Sequence, residues 1–317
     1  MNYKHSRLFT TLAFTTVMLT IGLIVFGAVV RVTDSGLGCG NDWPLCNGTI
    51  FPPLDNLTAW IEWLHRLFAA LIGMFGLATL AIAIKAYRTR NRHVLMATAV
   101  AAVLFLIQSA LGALVVVLEL PPTMVTLHLG VAMLLVGALL VALLFVAYRP
   151  SVKTPRDRFS TLAYVTTALS LVIILTGALV RGRGATLACI DWPLCNGAII
   201  PLGQGELALV HMLHRYAVVG LGIALGLLVW LAFTQRPAPI VRNLAAASLV
   251  VYLMQAGVGA LYVFSAAAPV WGAAHVMLAA ITWALLVSLS VIETMNSQDG
   301  IGETIPVWQP QSDVAAN

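Results

Sequence analysis

Asp42-Trp43-Pro44-Leu45-Cys46-Asn47-Gly48 returns unchanged as Asp191-Trp192-Pro193-Leu194-Cys195-Asn196-Gly197, at an offset of 149 residues. Seven identical residues in a row mark an internal duplication, and a duplication constrains every other reading of the chain. Nearby segments recur at almost the same spacing. Gly27-Ala28-Val29-Val30-Arg31 matches Gly177-Ala178-Leu179-Val180-Arg181 at 150, and His65-Arg66 matches His214-Arg215 at 149. Gln108 and His128 match Gln255 and His275 at 147. The chain therefore has two similar halves, and what they do not share points to a division of labour.

Composition supplies the solvent. The 317 residues are 60% hydrophobic and 9% charged, against a charged share of roughly a quarter in soluble domains. Apolar runs lie near 8–32, 59–84, 94–118, 124–148, 159–181, 208–234, 240–263 and 270–293. Each can cross a hydrocarbon core, which takes about 20 helical residues. The expected fold is an all-α polytopic membrane protein, eight transmembrane helices arranged as two parallel-repeat four-helix bundles. An even number of spans per unit makes both halves enter the membrane in the same direction. Residues 1–150 form the first unit, 151–294 the second, and 295–317 a flexible cytoplasmic tail. The junction Arg149-Pro150-Ser151-Val152-Lys153-Thr154-Pro155-Arg156-Asp157-Arg158 carries prolines and charges that disfavour helix and keep it in water.

The net charge of +5 raises the question of nucleic acid, and its placement answers it. Lys4, Arg7, Lys85, Arg88, Arg90, Arg92, Arg149, Lys153, Arg156, Arg158, Arg236 and Arg242 are 12 of the 17 Lys and Arg, and all fall at the N-terminus or in every second loop. The positive-inside rule makes those segments cytoplasmic. Both termini then lie inside, the cysteine loops lie on the outer side, and the expected location is the cell (plasma) membrane. The basic balance reports topology and implies no nucleic acid. The first apolar run reads as a retained anchor rather than a signal peptide: it is long, lacks a small-residue cleavage site, and ends at Arg31 within a repeated segment.

Cys39 and Cys46 share one outer loop, and Cys189 and Cys195 the other. An oxidising outer compartment permits disulfides, and four cysteines allow three pairings, of which the local one in each loop is the simplest. A zinc site is the competing reading, weakened by spacings unlike CxxC and by the absence of histidine from both loops. A staple on a long loop is the preferred role, with a redox role for the first pair left open.

His5 and His93 lie in basic cytoplasmic segments. The other five histidines, His65, His128, His211, His214 and His275, fall in the outer thirds of the second, fourth, sixth and eighth spans. Ionisable groups in spans are costly, about 2.5–3.5 kcal/mol or more for a charged form near the centre, so five at one level require a reason. Two neutral imidazoles from facing helices suit axial ligation of an iron porphyrin, whose apolar macrocycle suits a bundle core. His65 pairs with His128, and His214 with His275. Zinc or copper could use the same rings, but two per half without a helical thiolate make a poor closed site. A porphyrin also brings two propionates, and Arg31, Arg66, Arg181 and Arg215 lie against the positive-inside trend where they could pair with them; snorkelling to lipid headgroups is the plainer alternative. Trp43, Trp60, Trp63 and Trp192 read as an interfacial belt. Gln108 and Gln255 read equally well as interhelical hydrogen bonds or as site residues.

Glu62 stands three residues before His65, on the same helical face, and His211 takes its place in the second half. A carboxylate beside a bound macrocycle could exchange protons; a half-exposed acid stabilised by a helix N-terminus is the alternative. Glu119, before Pro121-Pro122, is a weaker candidate of the same kind.

Glu62-x-x-His65-Arg66, His128, His214-Arg215, His275 and the paired loop cysteines over eight spans resemble the heme A synthase family, over roughly residues 8–293. The resemblance implies conversion of heme O to heme A, a porphyrin methyl group becoming a formyl group by successive hydroxylations and loss of water. It implies substrate heme between His65 and His128, heme b between His214 and His275, Glu62 as the family's acidic residue, and Cys39 with Cys46 as its first-loop pair. It also implies a heme O synthase (farnesyltransferase) and terminal oxidase assembly as partners, with an electron acceptor the sequence does not identify. His211 receives no role from it. Two other classes remain: a two-heme electron carrier, which leaves an acid in only one half unexplained, and a small-molecule transporter, which would place polar groups near the midplane.

Overall fold

The computed structural model describes residues 3–150 and 152–297. They form α1 (Tyr3–Val32), α2 (Leu57–Tyr87), α3 (Arg92–Val117), α4 (Pro122–Ala147), α5 (Arg158–Gly182), α6 (Glu206–Gln235), α7 (Pro239–Phe264) and α8 (Pro269–Asn296). All eight are long and apolar enough to cross a membrane, and each expected run coincides with one helix to within a few residues. The protein is all-α and multi-pass. Large apolar side chains such as Leu77, Leu106, Ile223 and Trp230 are exposed, as a lipid solvent allows, while helical hydrogen bonding satisfies the backbone internally.

Local sequence sets the helix starts. Asn56 accepts the Ala59 N–H at the start of α2, and Asn91 accepts from His93 and Val94 at α3. Asp157 and Ser160 form a capping box at α5. Proline opens α4, α7 and α8, where its missing N–H has no intrahelical partner to lose.

Packing follows chain order. α1 touches α2, α2 touches α3, α3 touches α4, and α4 returns to α1; α5 through α8 close in the same way. The two sets meet through α4 with α8, α1 with α8 and α4 with α5. At that seam the buried Trp283 of α8 donates its indole N–H to the Met133 carbonyl of α4 at 2.7 Å. This partner satisfies the one polar atom of a large apolar side chain.

The helix ends opposite the cysteine loops are tied by polar contacts. Thr154 N–H donates to the Asn296 carbonyl at 2.9 Å, and the Tyr148 hydroxyl to Asn296 Oδ1 at 2.8 Å. Met295, Asn296 and Ser297, expected to begin a flexible tail, are instead buried at the end of α8. The polar groups of Asn296 are taken up by the junction between the halves, a long-range pairing that local polarity conceals. Residues 298–317, the rest of that expected tail, lie outside the described residues.

Beside this junction Arg236 donates to Asp157 at 2.6 and 2.9 Å and to Glu293 at 2.7 Å. Hydrogen bonding from Arg236 holds the Asp157 carboxyl below the usual carboxylate range. Burial opposes the charge of Arg236, and the bonds from its two acidic partners more than offset that, raising its pKa. For Asp157, a folded value below the unfolded one, about 4, gives stabilisation that is present above that pH and lost as pH falls through the folded value. Thermal stability in detergent is expected to fall below about pH 4 more steeply in wild type than in Asp157→Asn, and parallel profiles for the two proteins would contradict the assignment.

Candidate functional site

α2, α4, α6 and α8 all begin at the end of the molecule that carries the two long loops, residues 33–56 and 183–205. His65 and His214 are each the ninth residue of their helices, and His128 and His275 each the seventh. At about 1.5 Å per residue, all four rings lie roughly 9–12 Å along from those starts. The repeat thus sets depth as well as order.

Each loop is closed by its own disulfide, Cys39–Cys46 in the first and Cys189–Cys195 in the second, with all four cysteines fully buried. A cis Trp–Pro bond, Trp43–Pro44 or Trp192–Pro193, lies in each. With their thiols oxidised, the cysteines are not available as zinc ligands.

The arginine after each proposed ligand fastens the loop to the helix. Arg66 Nη1 donates to the carbonyls of Asp42 at 3.0 Å and Leu45 at 2.9 Å, while Nη2 meets Glu62 Oε1 at 2.5 Å. Glu62 Oε2 accepts the Cys39 N–H at 2.9 Å. Glu62 is 3% exposed, which removes the half-exposed helix-end alternative. In the second half Arg215 donates to the carbonyls of Leu194 and of Pro193, and to His211 Nε2 at 3.3 Å. His211 Nδ1 faces the Ala185 carbonyl at 3.0 Å, which can only accept. His211 therefore has a structural task that sequence did not disclose: as a neutral ring it joins arginine to loop where Glu62 does so with a carboxylate.

The four arginines singled out for propionates are placed unequally. Arg66 and Arg215 brace loops, and Arg181 donates to the Arg31 carbonyl and to Asp34, both at 3.3 Å. The guanidinium of Arg31 makes no hydrogen bond among the described residues, and the Nε atoms of Arg66 and Arg181 are buried without a partner. Trp60 and Trp63, read as interfacial, donate their indole N–H groups to the carbonyls of Pro53 at 3.0 Å and Ile50 at 2.7 Å and so pin the first loop. Trp43 and Trp192 are exposed. Glu119 is exposed in the α3–α4 turn at φ 60°, with no side-chain partner among the described residues.

The histidines share one further feature. A Cβ added at Gly27 would lie 3.1 Å from His65 Cε1, at Gly112 3.1 Å from His128 Cε1, at Gly177 3.0 Å from His214 Cε1 and at Gly259 3.1 Å from His275 Cε1. Each ring lies against a glycine of the preceding helix, at a closeness that a side chain there would crowd. These four glycines belong to the repeated segments, and that recurrence was the signal available for finding them. The Gln108 side-chain amide also proves to be a ring contact, meeting His128 Nε2 at 3.2 Å; at Gln255 it is the backbone carbonyl that meets His275 Nδ1, at 3.1 Å, while the side-chain oxygen accepts from Thr282 at 3.5 Å. Thr176, one residue before Gly177, meets His214 Nδ1 at 2.9 Å. Paired imidazoles in apolar surroundings, with the Nε2 atoms of His65, His214 and His275 not hydrogen-bonded among the described residues, fit the donor set an iron porphyrin requires.

Fold and site together define a polytopic helical membrane protein with a matched pair of histidines in each half, at matched depths beneath two disulfide-closed loops. The profile of the COX15-CtaA family, described as cytochrome oxidase assembly proteins, matches residues 10–59 and 55–287. The heme A synthase of an Exiguobacterium species is 32% identical over 256 residues, 78% of this chain and 82% of its own length. That of Alkalihalophilus pseudofirmus is 31% identical over 294 residues, covering 89% and 97%, and that of Symbiobacterium thermophilum 33% over 270, covering 80% and 84%. The chain belongs to the COX15-CtaA, or heme A synthase, family, and it is an enzyme of that family whose chemistry concerns heme.

Proposed function

We propose that this protein is a heme A synthase that oxidises a methyl group of heme O to the formyl group of heme A, for use by terminal oxidases. The observation that carries the reading is the one chemical difference between two matched clasps. Arginine is tied to the loop through a neutral imidazole, His211, in one half and through a carboxylate, Glu62, in the other. Since an imidazole suffices for the clasp, the carboxylate has a further use.

In this reading each half is a four-helix bundle and the two are parallel repeats. Residues 1–150 hold substrate heme O through His65 and His128, and residues 151–294 hold heme b through His214 and His275. Heme b, when bound, supplies an electron relay toward an acceptor outside the chain. The chain's own residues supply position and proton transfer. Arg66 and the Cys39 N–H hold Glu62 at the start of α2, one turn from His65 on the same face. From there the carboxylate accepts protons released as the methyl C–H bonds are replaced, or orients water. The first disulfide keeps the Cys39 N–H in place. Arg31, whose guanidinium makes no hydrogen bond among the described residues though it lies in the field of Asp34 and Arg181, is the foremost partner for a propionate, and Arg66, Arg181 and Arg215 lie at the same end. The disulfide loops face outward, both termini are cytoplasmic, and the membrane is the cell membrane. A heme O synthase (farnesyltransferase) supplies the substrate, and terminal oxidase assembly consumes the product.

The test is expression in cells that make heme O and no heme A. Heme A in the extracted pigment is the expected result. Heme O unchanged beside abundant, heme-loaded protein would favour the electron-carrier reading.

A further inference from the structure

The two pairs of histidines differ in what holds their outer nitrogens. In the second half the Thr176 hydroxyl donates to the Ile173 carbonyl at 2.7 Å. Its single proton is thereby used, so at 2.9 Å from His214 Nδ1 the oxygen can only accept. His275 Nδ1 likewise faces the Gln255 carbonyl at 3.1 Å, an obligate acceptor. Both rings must then carry their proton on Nδ1, which leaves Nε2 bare and aims each ring from a second helix.

The first half lacks the Thr176 anchor. The residue matching Thr176, one before the repeated glycine, is Phe26, which lies 6.0 Å from His65 between ring centroids and offers no acceptor. His65 Nδ1 is buried without a hydrogen-bond partner, while His128 faces the Gln108 backbone carbonyl as His275 faces that of Gln255. The Gln108 amide occupies His128 Nε2, at 3.2 Å, and does so whichever way the amide is turned. An imidazole whose far N–H is hydrogen-bonded is a better-oriented and more basic metal ligand, and losing such a partner typically costs about 10–100-fold in metal affinity.

We propose that Thr176 is a positioning residue that makes the second half the one that retains its heme. Phe26 and Gln108 leave the first half with loosely held ligands, so that its heme exchanges. The division matches what a reaction needs: a substrate must enter and a product must leave, while a redox cofactor stays. The proposal rests on the reading that each histidine pair holds a heme.

The experiment uses full-length protein purified with its hemes, as wild type, Thr176→Val, Thr176→Ser and His214→Ala. Hemes released to excess apomyoglobin are separated by chromatography, and the midpoint potential of the heme b that remains is measured. Wild type is expected to release farnesylated heme faster than heme b. Thr176→Val is expected to release heme b about tenfold faster and to raise its potential, since a less basic ligand stabilises ferric iron less. Thr176→Ser, which keeps the acceptor, is expected to restore both. Heme b released from Thr176→Val at the wild-type rate and at an unchanged potential would overturn the proposal. So would loss of heme b in Thr176→Ser equal to that in Thr176→Val, which would show a packing effect alone. Wild-type protein without heme b, or heme b indifferent to His214→Ala, would instead overturn the underlying reading and the proposal with it.

Discussion

Replacing Glu62 by Gln is expected to cut heme A formation by roughly 10²–10⁴-fold, the range of a single general acid–base group, while leaving both hemes bound. The substitution is suited to the question because of how Glu62 is held. Its two oxygens accept from Arg66 and from the Cys39 N–H; an amide keeps one acceptor oxygen, enough for one of these two donors. The second half shows that a neutral group is tolerated there, since His211 joins Arg215 to the loop through Ala185. A fall in product with normal heme content and normal thermal stability would therefore report chemistry, not folding. Glu62→Gln protein that makes heme A at the wild-type rate would reduce Glu62 to a structural acceptor.

Arg236→Met is expected to destabilise the protein by about 3–5 kcal/mol, the cost of removing one partner from a buried ion pair. Arg236 and Glu293 have side chains only 2% and 1% exposed, and the guanidinium lies 4.4 Å over the Phe159 ring. Without it, Glu293 keeps only the Ser160 hydroxyl at 2.7 Å. Combining Arg236→Met with Glu293→Leu should recover much of the loss, because the unpaired buried charge is then gone. Thermal unfolding of the detergent-solubilised variants measures both. A double variant no more stable than the single one would show that packing on Phe159, rather than charge, is what Arg236 supplies.

Much of the fold was legible because it depends on short-range pattern. Eight apolar runs became eight helices since a hydrocarbon solvent leaves few alternatives, and the duplicated segments placed four histidines at two matched depths. Polar contacts across the fold were not legible. That Arg66 and Arg215 grip loop carbonyls depends on how residues 33–56 and 183–205 fold back onto α2 and α6. The burial of Asn296 and Ser297 depends on Thr154 and Tyr148, over 140 residues away in sequence. Thr176 was hidden for another reason: a helical threonine ordinarily bonds its own backbone, and only the position of His214 reveals its second contact. The difference between halves first read at Glu62 and His211 thus extends to Phe26 and Thr176. In the proposed reading one pair concerns the reaction and the other the holding of heme.

Mass spectrometry of the hemes extracted from purified wild-type protein distinguishes a heme A synthase from an electron carrier. Farnesylated heme O and heme A together with heme b is the result this account predicts. Heme b alone, in both halves, would contradict it and leave an electron carrier in its place.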